Sequence, residues 1–197
     1  MTAPTANTIV DVIADILTRR GADSYLGESV TMEQHMLQAA TLAEREGAPE
    51  PLIAAALLHD IGHYIGEFGE DYIEQGVDDF HEDSGAKMLE PFFPPLVVAC
   101  VRLHVAAKRY LCATDASYVG KLSPASVATL ALQGGPLEAD AVAEFERHPF
   151  YREAIRVRIW DESAKDPRAP TPTFSHFVPL LRRVLGQGAA TAQTPPA

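Results

Sequence analysis

The sequence predicts an all-α fold in a single domain, and three features point to it. Apolar residues recur at helical spacing from the first element onward, helix-start and helix-stop signals punctuate the chain, and no stretch alternates apolar and polar residues between hairpin turns. A chain of 197 residues is long enough for one full hydrophobic core.

The elements follow in order. Ile9, Val12, Ile13, Ile16 and Leu17 share one helical face. Thr31 and Gln34 form a capping box for a helix reaching about Glu46. Pro51 suits the first turn of the helix that carries Leu57, Leu58 and His59, and Gly62 stands where that helix could end. A loop covers about Tyr64 to Asp79, and His81 opens the next helical stretch. Pro95 starts the long segment PLVVACVRLHVAAKRYL, and Ser123-Pro124 makes an N-cap and first turn closed by Gly134-Gly135-Pro136. Helices around 137–147 and 150–163 come next, and FSHFVPLLRRVL is the last. The domain is expected over residues 1–186, with residues 187–197, low in apolar content, as a disordered tail.

Composition narrows the function classes. With 47% apolar and 22% charged residues the chain reads as soluble and globular, and no run approaches the roughly 18 apolar residues of a membrane span. A net charge of -11 disfavours nucleic acid and anionic membranes as partners. Two cysteines, Cys100 and Cys112, are too few for a disulfide framework or a cysteine metal cluster. With no signal-peptide pattern at the N-terminus, the expected location is the cytoplasm.

The seven histidines carry the chemistry. A lone core histidine is more often hydrogen-bonded than ligating, but His35, His59, His81 and His104 fall on four separate helical segments, as a bundle needs to hold metal between facing helices. Asp60 follows His59, and its two oxygens can bridge two ions where imidazole serves one. Asp161 offers a terminal carboxylate that would leave the two sites unequal.

This arrangement resembles the HD-domain superfamily. The stretches SYLGE (24–28), ALLHDIGHY (56–64), LHVAAKRYL (103–111), LQGGP (132–136) and RIWDE (158–162) narrow the resemblance to mixed-valent diiron oxygenases of the 2-amino-1-hydroxyethylphosphonate and 1-hydroxy-2-(trimethylamino)ethylphosphonate dioxygenase group. The similarity runs from about residue 8 to 186. It implies two iron ions, Fe(II) and Fe(III), with O2 as co-substrate. His35, His59, Asp60 and Asp161 would bind one iron, with Asp60 bridging to a second completed by His81 and His104. Tyr25, with Glu28 beside it, would be a gate that ligates the second iron at rest and leaves when substrate arrives. Iron itself follows from the resemblance, since His and Asp suit several metals.

The implied substrate is a small hydroxyphosphonate. Lys108 and Arg158 each lie one helical turn from a ligand, Ser126 falls in the first turn of a capped helix, and His63 resembles a histidine that contacts the phosphonate, a core hydrogen bond being its alternative. The acidic, aromatic loop after Tyr64 favours a quaternary ammonium, with Phe68, Asp71 and Tyr72 as its contacts, and hence the trimethylammonio substrate yielding glycine betaine over the amino one yielding glycine. On the residues alone, an HD-type phosphohydrolase with a metal-bridging hydroxide, a silent regulatory module and an inositol oxygenase-like reaction stay open.

Overall fold

The computed structural model describes residues 4–23, 25, 27–65 and 77–191, with side chains up to residue 186. Among these residues the helices are α1 (Ile9–Arg20), α2 (Met32–Arg45), α3 (Glu50–Leu58), α4 (His81–Leu89), α5 (Pro95–Thr114), α6 (Pro124–Leu132), α7 (Ala139–Arg147), α8 (Tyr151–Ser163) and α9 (Phe174–Thr191). Short 3-10 turns occupy Ile61–Tyr64 and Val119–Lys121, and the described residues form no strand beyond an isolated bridge at Thr31. No described helix is long and apolar enough to cross a membrane. The last helix runs to Thr191, past the expected tail boundary at residue 186.

The local signals act as written. The Thr31 hydroxyl accepts from the Gln34 N–H at 3.2 Å while the Gln34 side chain accepts from the Thr31 N–H at 2.9 Å, closing the capping box. The Ser123 hydroxyl accepts from the Ser126 N–H at 3.1 Å, with Pro124 at the first helical position.

Helix α3 is the axis of the core. Leu52 through Leu58 are all buried, and α3 packs against α2, α5, α8 and α9. A helix apolar on every side is one that neighbours cover on every side. Ala54, Ala55 and Ala56 on α3, with Ala39, Ala40 and Ala43 on α2, have no exposed surface, and such small side chains let these helix backbones approach closely. A smaller cluster of Ala107, Phe145 and Ala154 joins α5, α7 and α8.

The helix carrying the His-Asp pair ends earlier than its pattern suggests. It stops at Leu58, with His59 as its C-cap and Asp60 already at φ -101°, ψ 11°. The reason lies at Gly62, which meets the start of α4 backbone to backbone. A Cβ there would fall 1.8 Å from the His81 carbonyl oxygen and 2.9 Å from the Gly85 nitrogen. Gly62 is therefore a point of close approach that seats His81. Gly62→Ala is expected to push α4 away, lowering stability by roughly 3 kcal/mol or more in urea denaturation, and to weaken metal retention at His81. An unchanged midpoint would contradict this account of the contact.

Candidate metal centre and active site

Five elements deliver the histidines and aspartates to one point. His35 comes from α2, His59 and Asp60 from the end of α3, His81 from the first residue of α4, His104 from α5 and Asp161 from α8. All six are at most 5% exposed.

Their orientation is fixed from behind. The Nδ1 of His35 lies 3.0 Å from the Ala164 carbonyl, that of His59 2.8 Å from Ala56, and that of His104 2.7 Å from Val101. A carbonyl only accepts, so each of these Nδ1 atoms carries the proton and donates. The His81 Nδ1 donates instead to the Asp79 carboxylate at 2.8 Å. All four Nε2 atoms then point inward, in two pairs. His35 and His59 bring theirs to 3.0 Å, and His81 and His104 to 3.1 Å. Two neutral imidazoles presenting lone pairs at that distance repel, so a cation, either a proton or a metal ion, has to stand between them. The separation also suits two nitrogens sharing a metal at about 2.1 Å each.

Asp60 lies between the pairs. Its Oδ2 is 3.4 Å from His35 Nε2 and 3.3 Å from His59 Nε2, while its Oδ1 is 3.5 Å from His81 Nε2 and 3.3 Å from His104 Nε2. Asp161 belongs to the first pair alone. Its Oδ1, 3.4 Å from His35 Nε2, is buried with no hydrogen-bond partner, as expected of an oxygen reserved for a cation.

The pairs differ in charge. Burial works against a protonated His59, but the neighbouring Asp60 and Asp161 carboxylates overcome it and raise its pKa to about 10. Burial and then the nearby His63 charge depress His81 to about 4, and burial lowers His104. Burial would raise Asp60 and Asp161, yet His59 and Arg158 respectively lead the influences that hold both well below the usual range.

Tyr25 and Glu28, the expected gate, line the same cavity. Tyr25 stacks on His35 with ring centroids 3.9 Å apart, and its hydroxyl is pushed far above its ordinary pKa by burial and then by the Asp60 charge. The Glu28 N–H donates to the Tyr25 carbonyl at 2.7 Å across a turn in which Gly27 takes φ +78°, a conformation that favours glycine. The Y-x-G-E spacing thus encodes one tight turn with both side chains at its ends.

The residues expected to meet substrate separate into three cases. Lys108 and Ser126 line the cavity; the Lys108 ammonium donates to the Thr129 hydroxyl at 2.9 Å and meets no carboxylate among the described residues. Burial and then Arg158 lower its pKa to about 8. Arg158, in contrast, is fully engaged. It grips Asp161 and Glu162, donates to the Tyr118 hydroxyl at 2.8 Å and reaches Ser126 at 3.3 Å, and it lines the same cavity. His63 turns its Nδ1 to Asp79 at 2.7 Å and stacks on His81 at 3.8 Å; with Asp60 and His81 it also makes a second group of possible metal donors beside His35, His59 and Asp161.

Phe68, Asp71 and Tyr72 lie outside the described residues. Sequence reasoning grouped Asp79 with their acidic loop, whereas its carboxylate is committed to His63 and His81. It passed over Thr129, Glu162, Gln133 and Lys165, all at or beside the cavity. The available signals were helical: Thr129 is three residues from Ser126, and Glu162 four from Arg158. The cavity holds about 30 Å³ of free space, room for roughly two waters, so a larger ligand enters only when lining side chains move out.

The HD-domain family matches residues 32–164, more than half of the chain and the span that holds every donor described above. The chain belongs to the HD-domain family. Three relatives of this HD-domain protein extend the comparison. A [1-hydroxy-2-(trimethylamino)ethyl]phosphonate dioxygenase (glycine-betaine-forming) of Leisingera caerulea is 51% identical over 177 residues, 90% of each chain. A hydroxymethylphosphonate dioxygenase of Gimesia maris is 42% identical over 155 residues, 78% of this chain and 77% of the relative. An uncharacterised protein of Acanthamoeba polyphaga mimivirus is 35% identical over 159 residues, 79% and 72% of the two chains. The buried His and Asp donors of this HD domain are those of a metal centre.

Metal then replaces a proton on one side only. At neutral pH the His35–His59 side holds the His59 proton, and the His81–His104 side holds none to displace. Filling the centre is expected to release about one proton, measured by calorimetric metal titration in buffers of different ionisation enthalpy. Affinity on the His59 side rises with pH, because its competing proton is bound below about 10. Metal uptake without proton release would refute the charge assignment.

Proposed function

We propose that this protein catalyses O2-dependent cleavage of the carbon–phosphorus bond of (1R)-1-hydroxy-2-(trimethylammonio)ethylphosphonate, giving glycine betaine and phosphate. The observation that carries this reading is the Leisingera caerulea relative, whose name states that activity and which is 51% identical over 90% of the chain. The site agrees with it in kind: two histidine pairs about one carboxylate, beside a buried lysine with no carboxylate partner among the described residues.

In this reading His35, His59 and Asp161 would hold one iron and His81 and His104 the other, with Asp60, near both pairs, shared between them. Two irons, Fe(II) and Fe(III), would supply O2 activation and the electron transfer that oxidises the carbon. The chain's own groups bind and orient. Lys108 and Ser126 receive the phosphonate, His63 turns its Nε2 toward it while Asp79 holds the other nitrogen, and Arg158 keeps Asp161 and Ser126 in place. Tyr25 and Glu28, which line the cavity, would be the resting-state gate at the metal that leaves when substrate arrives. Phe68, Asp71 and Tyr72 remain the proposed ammonium contacts. Residues 1–186 form the catalytic unit, and two free cysteines suit a reducing cytoplasm.

A second reading keeps the chemistry and changes the substrate, to 2-amino-1-hydroxyethylphosphonate giving glycine. The Gimesia maris relative, named for a hydroxyphosphonate with no ammonium group at all, leaves room for it, because the phosphonate end is what the relatives' substrates share.

Protein loaded anaerobically with iron is expected to release phosphate from the hydroxyphosphonates only when O2 is admitted, fastest from the trimethylammonio compound. Hydrolysis of an ordinary phosphate ester without O2, and no release from either phosphonate, would replace this reading with the hydrolase. A second expectation concerns pH. Lys108 is charged below about 8 and neutral above, so kcat/KM, which reports the free enzyme, falls as pH rises through that value. Lys108→Arg moves this limb upward; an unmoved limb would exclude Lys108 as its source.

A further inference from the structure

Three of the inward-facing histidines are oriented by backbone carbonyls, and those carbonyls differ in kind. His59 and His104 use Ala56 and Val101, each three residues back along the same stretch of chain. Helix geometry sets both contacts locally, because a helical side chain leans over the turn before it. His81 is likewise served from nearby, by Asp79 two residues before it. His35 is the exception. Its Nδ1 donates to the carbonyl of Ala164, 129 residues away.

Ala164 is a poor place from which to take an acceptor. It caps the end of α8 at φ -94°, ψ 46°, and residues 164–173 form no helix. Its N–H reaches the Asp161 carbonyl at 3.1 Å, which ties it to α8 on one side only. A carbonyl just past a helix end has no ladder to hold its direction, so a further contact has to fix it.

Gln38 supplies that contact. It lies three residues after His35 on α2, hence on a shared face, and is 5% exposed. Its Nε2 donates to the Asp166 carbonyl at 2.9 Å, and its Oε1 accepts from the Asp166 N–H at 3.1 Å. An amide matched to both main-chain groups of one residue fixes that residue in position and in rotation. Asp166 is itself part of a closed turn, its carbonyl accepting from the Ala169 N–H at 3.1 Å and its carboxylate from the Arg168 N–H at 2.9 Å. The clamp therefore holds a formed turn, with Ala164 between it and the end of α8.

We propose that Gln38 is a positioning residue for the metal centre. By clamping Asp166 it keeps the Ala164 carbonyl on His35 Nδ1, and so keeps His35 Nε2 aimed at the cation it shares with His59 and Asp161. Without the clamp the chain after α8 loosens and the His35 ring gains freedom to turn, while His59 and His104 stay set by their own helices. The proposal rests on His35 as a metal donor in the reading above, and on neither the substrate nor the reaction.

The test uses protein loaded with Zn(II) and labelled with 15N-histidine. Solvent exchange of the ring N–H is followed at His35, His59 and His104 in Gln38→Met, a change that keeps the length of the side chain and removes both bonds. His35 is expected to exchange about tenfold faster than in wild type, the equivalent of losing one hydrogen bond. His59 and His104 are expected to stay within about twofold. A general loss of stability would speed all three alike. Zn(II) affinity, measured by calorimetry on metal-free protein, is expected to fall about tenfold, the low end for a group that orients a metal ligand. Gln38→Asn keeps an amide too short to reach both main-chain groups, and is expected to move both readouts the same way by less.

No selective acceleration of His35 in Q38M would overturn the proposal. So would Zn(II) affinity within about twofold of wild type in Q38M when His35→Ala does weaken it. His35→Ala that binds Zn(II) as tightly as wild type would refute instead the reading of His35 as a donor. Protein that shows both Q38M effects and releases no phosphate from hydroxyphosphonates would refute the proposed reaction and leave the role of Gln38 standing.

Discussion

Four imidazole nitrogens face a single carboxylate in space closed to bulk water, and the fold is arranged around that constraint. Asp60 gives one oxygen to each histidine pair, and the protons on the far side of three rings are claimed by backbone carbonyls. With its nitrogens turned inward, the site lacks a cation of its own at the His81–His104 pair, where burial depresses both groups. Such a cluster is unfavourable when empty and favourable when a divalent cation fills it, which couples metal binding to folding. The all-apolar α3 follows from the same need. It ends at the centre, so every side chain from Leu52 to Leu58 is buried among neighbouring helices, which holds that end still.

Charge is balanced in a second layer. Arg158 spans Asp161 and Glu162, so the carboxylate beside the His35–His59 pair and the one beside Ser126 share one guanidinium. Asp79 does the same for His63 and His81 on the opposite side. Each connects a group of the histidine–aspartate cluster to a neighbour outside the two histidine pairs. Planar, two-pronged groups suit this task because they make two directed contacts at once.

What could be read from sequence was what is local or periodic. The capping box at Thr31, the N-cap at Ser123 and the four histidines on four segments all depend on residues within a few positions of one another. The helix end before Asp60 was misjudged because its cause is tertiary: Gly62 meets the His81 carbonyl across the fold, and the glycine alone signalled only a possible stop. Arg158 was expected to meet the phosphonate, and how closely it holds Asp161 and Glu162 was not legible, since pairings three and four residues apart are equally common on a solvated face. Asp79 was pooled with an acidic loop because composition cannot separate a carboxylate in water from one turned inward against two rings. Lys165 gave no periodic signal, since it lies beyond α8 and its partners come from α6 and from the turn before α2.

Phe80 shows how firmly the inward turn of Asp79 is imposed. It adopts φ 47°, ψ 39°, the left-handed region that costs a bulky residue about 1–2 kcal/mol, and its ring is 55% exposed, so little packing compensates. The conformation makes sense through its neighbours. Asp79 must reach the Nδ1 of His81, two residues away, while His81 opens a helix and aims its Nε2 at His104. A chain entering α4 in ordinary extended form would not set both side chains on one point. The strain at Phe80 is therefore offset by the hydrogen bonds it makes possible, and those bonds fix the nitrogen that His81 offers to a metal.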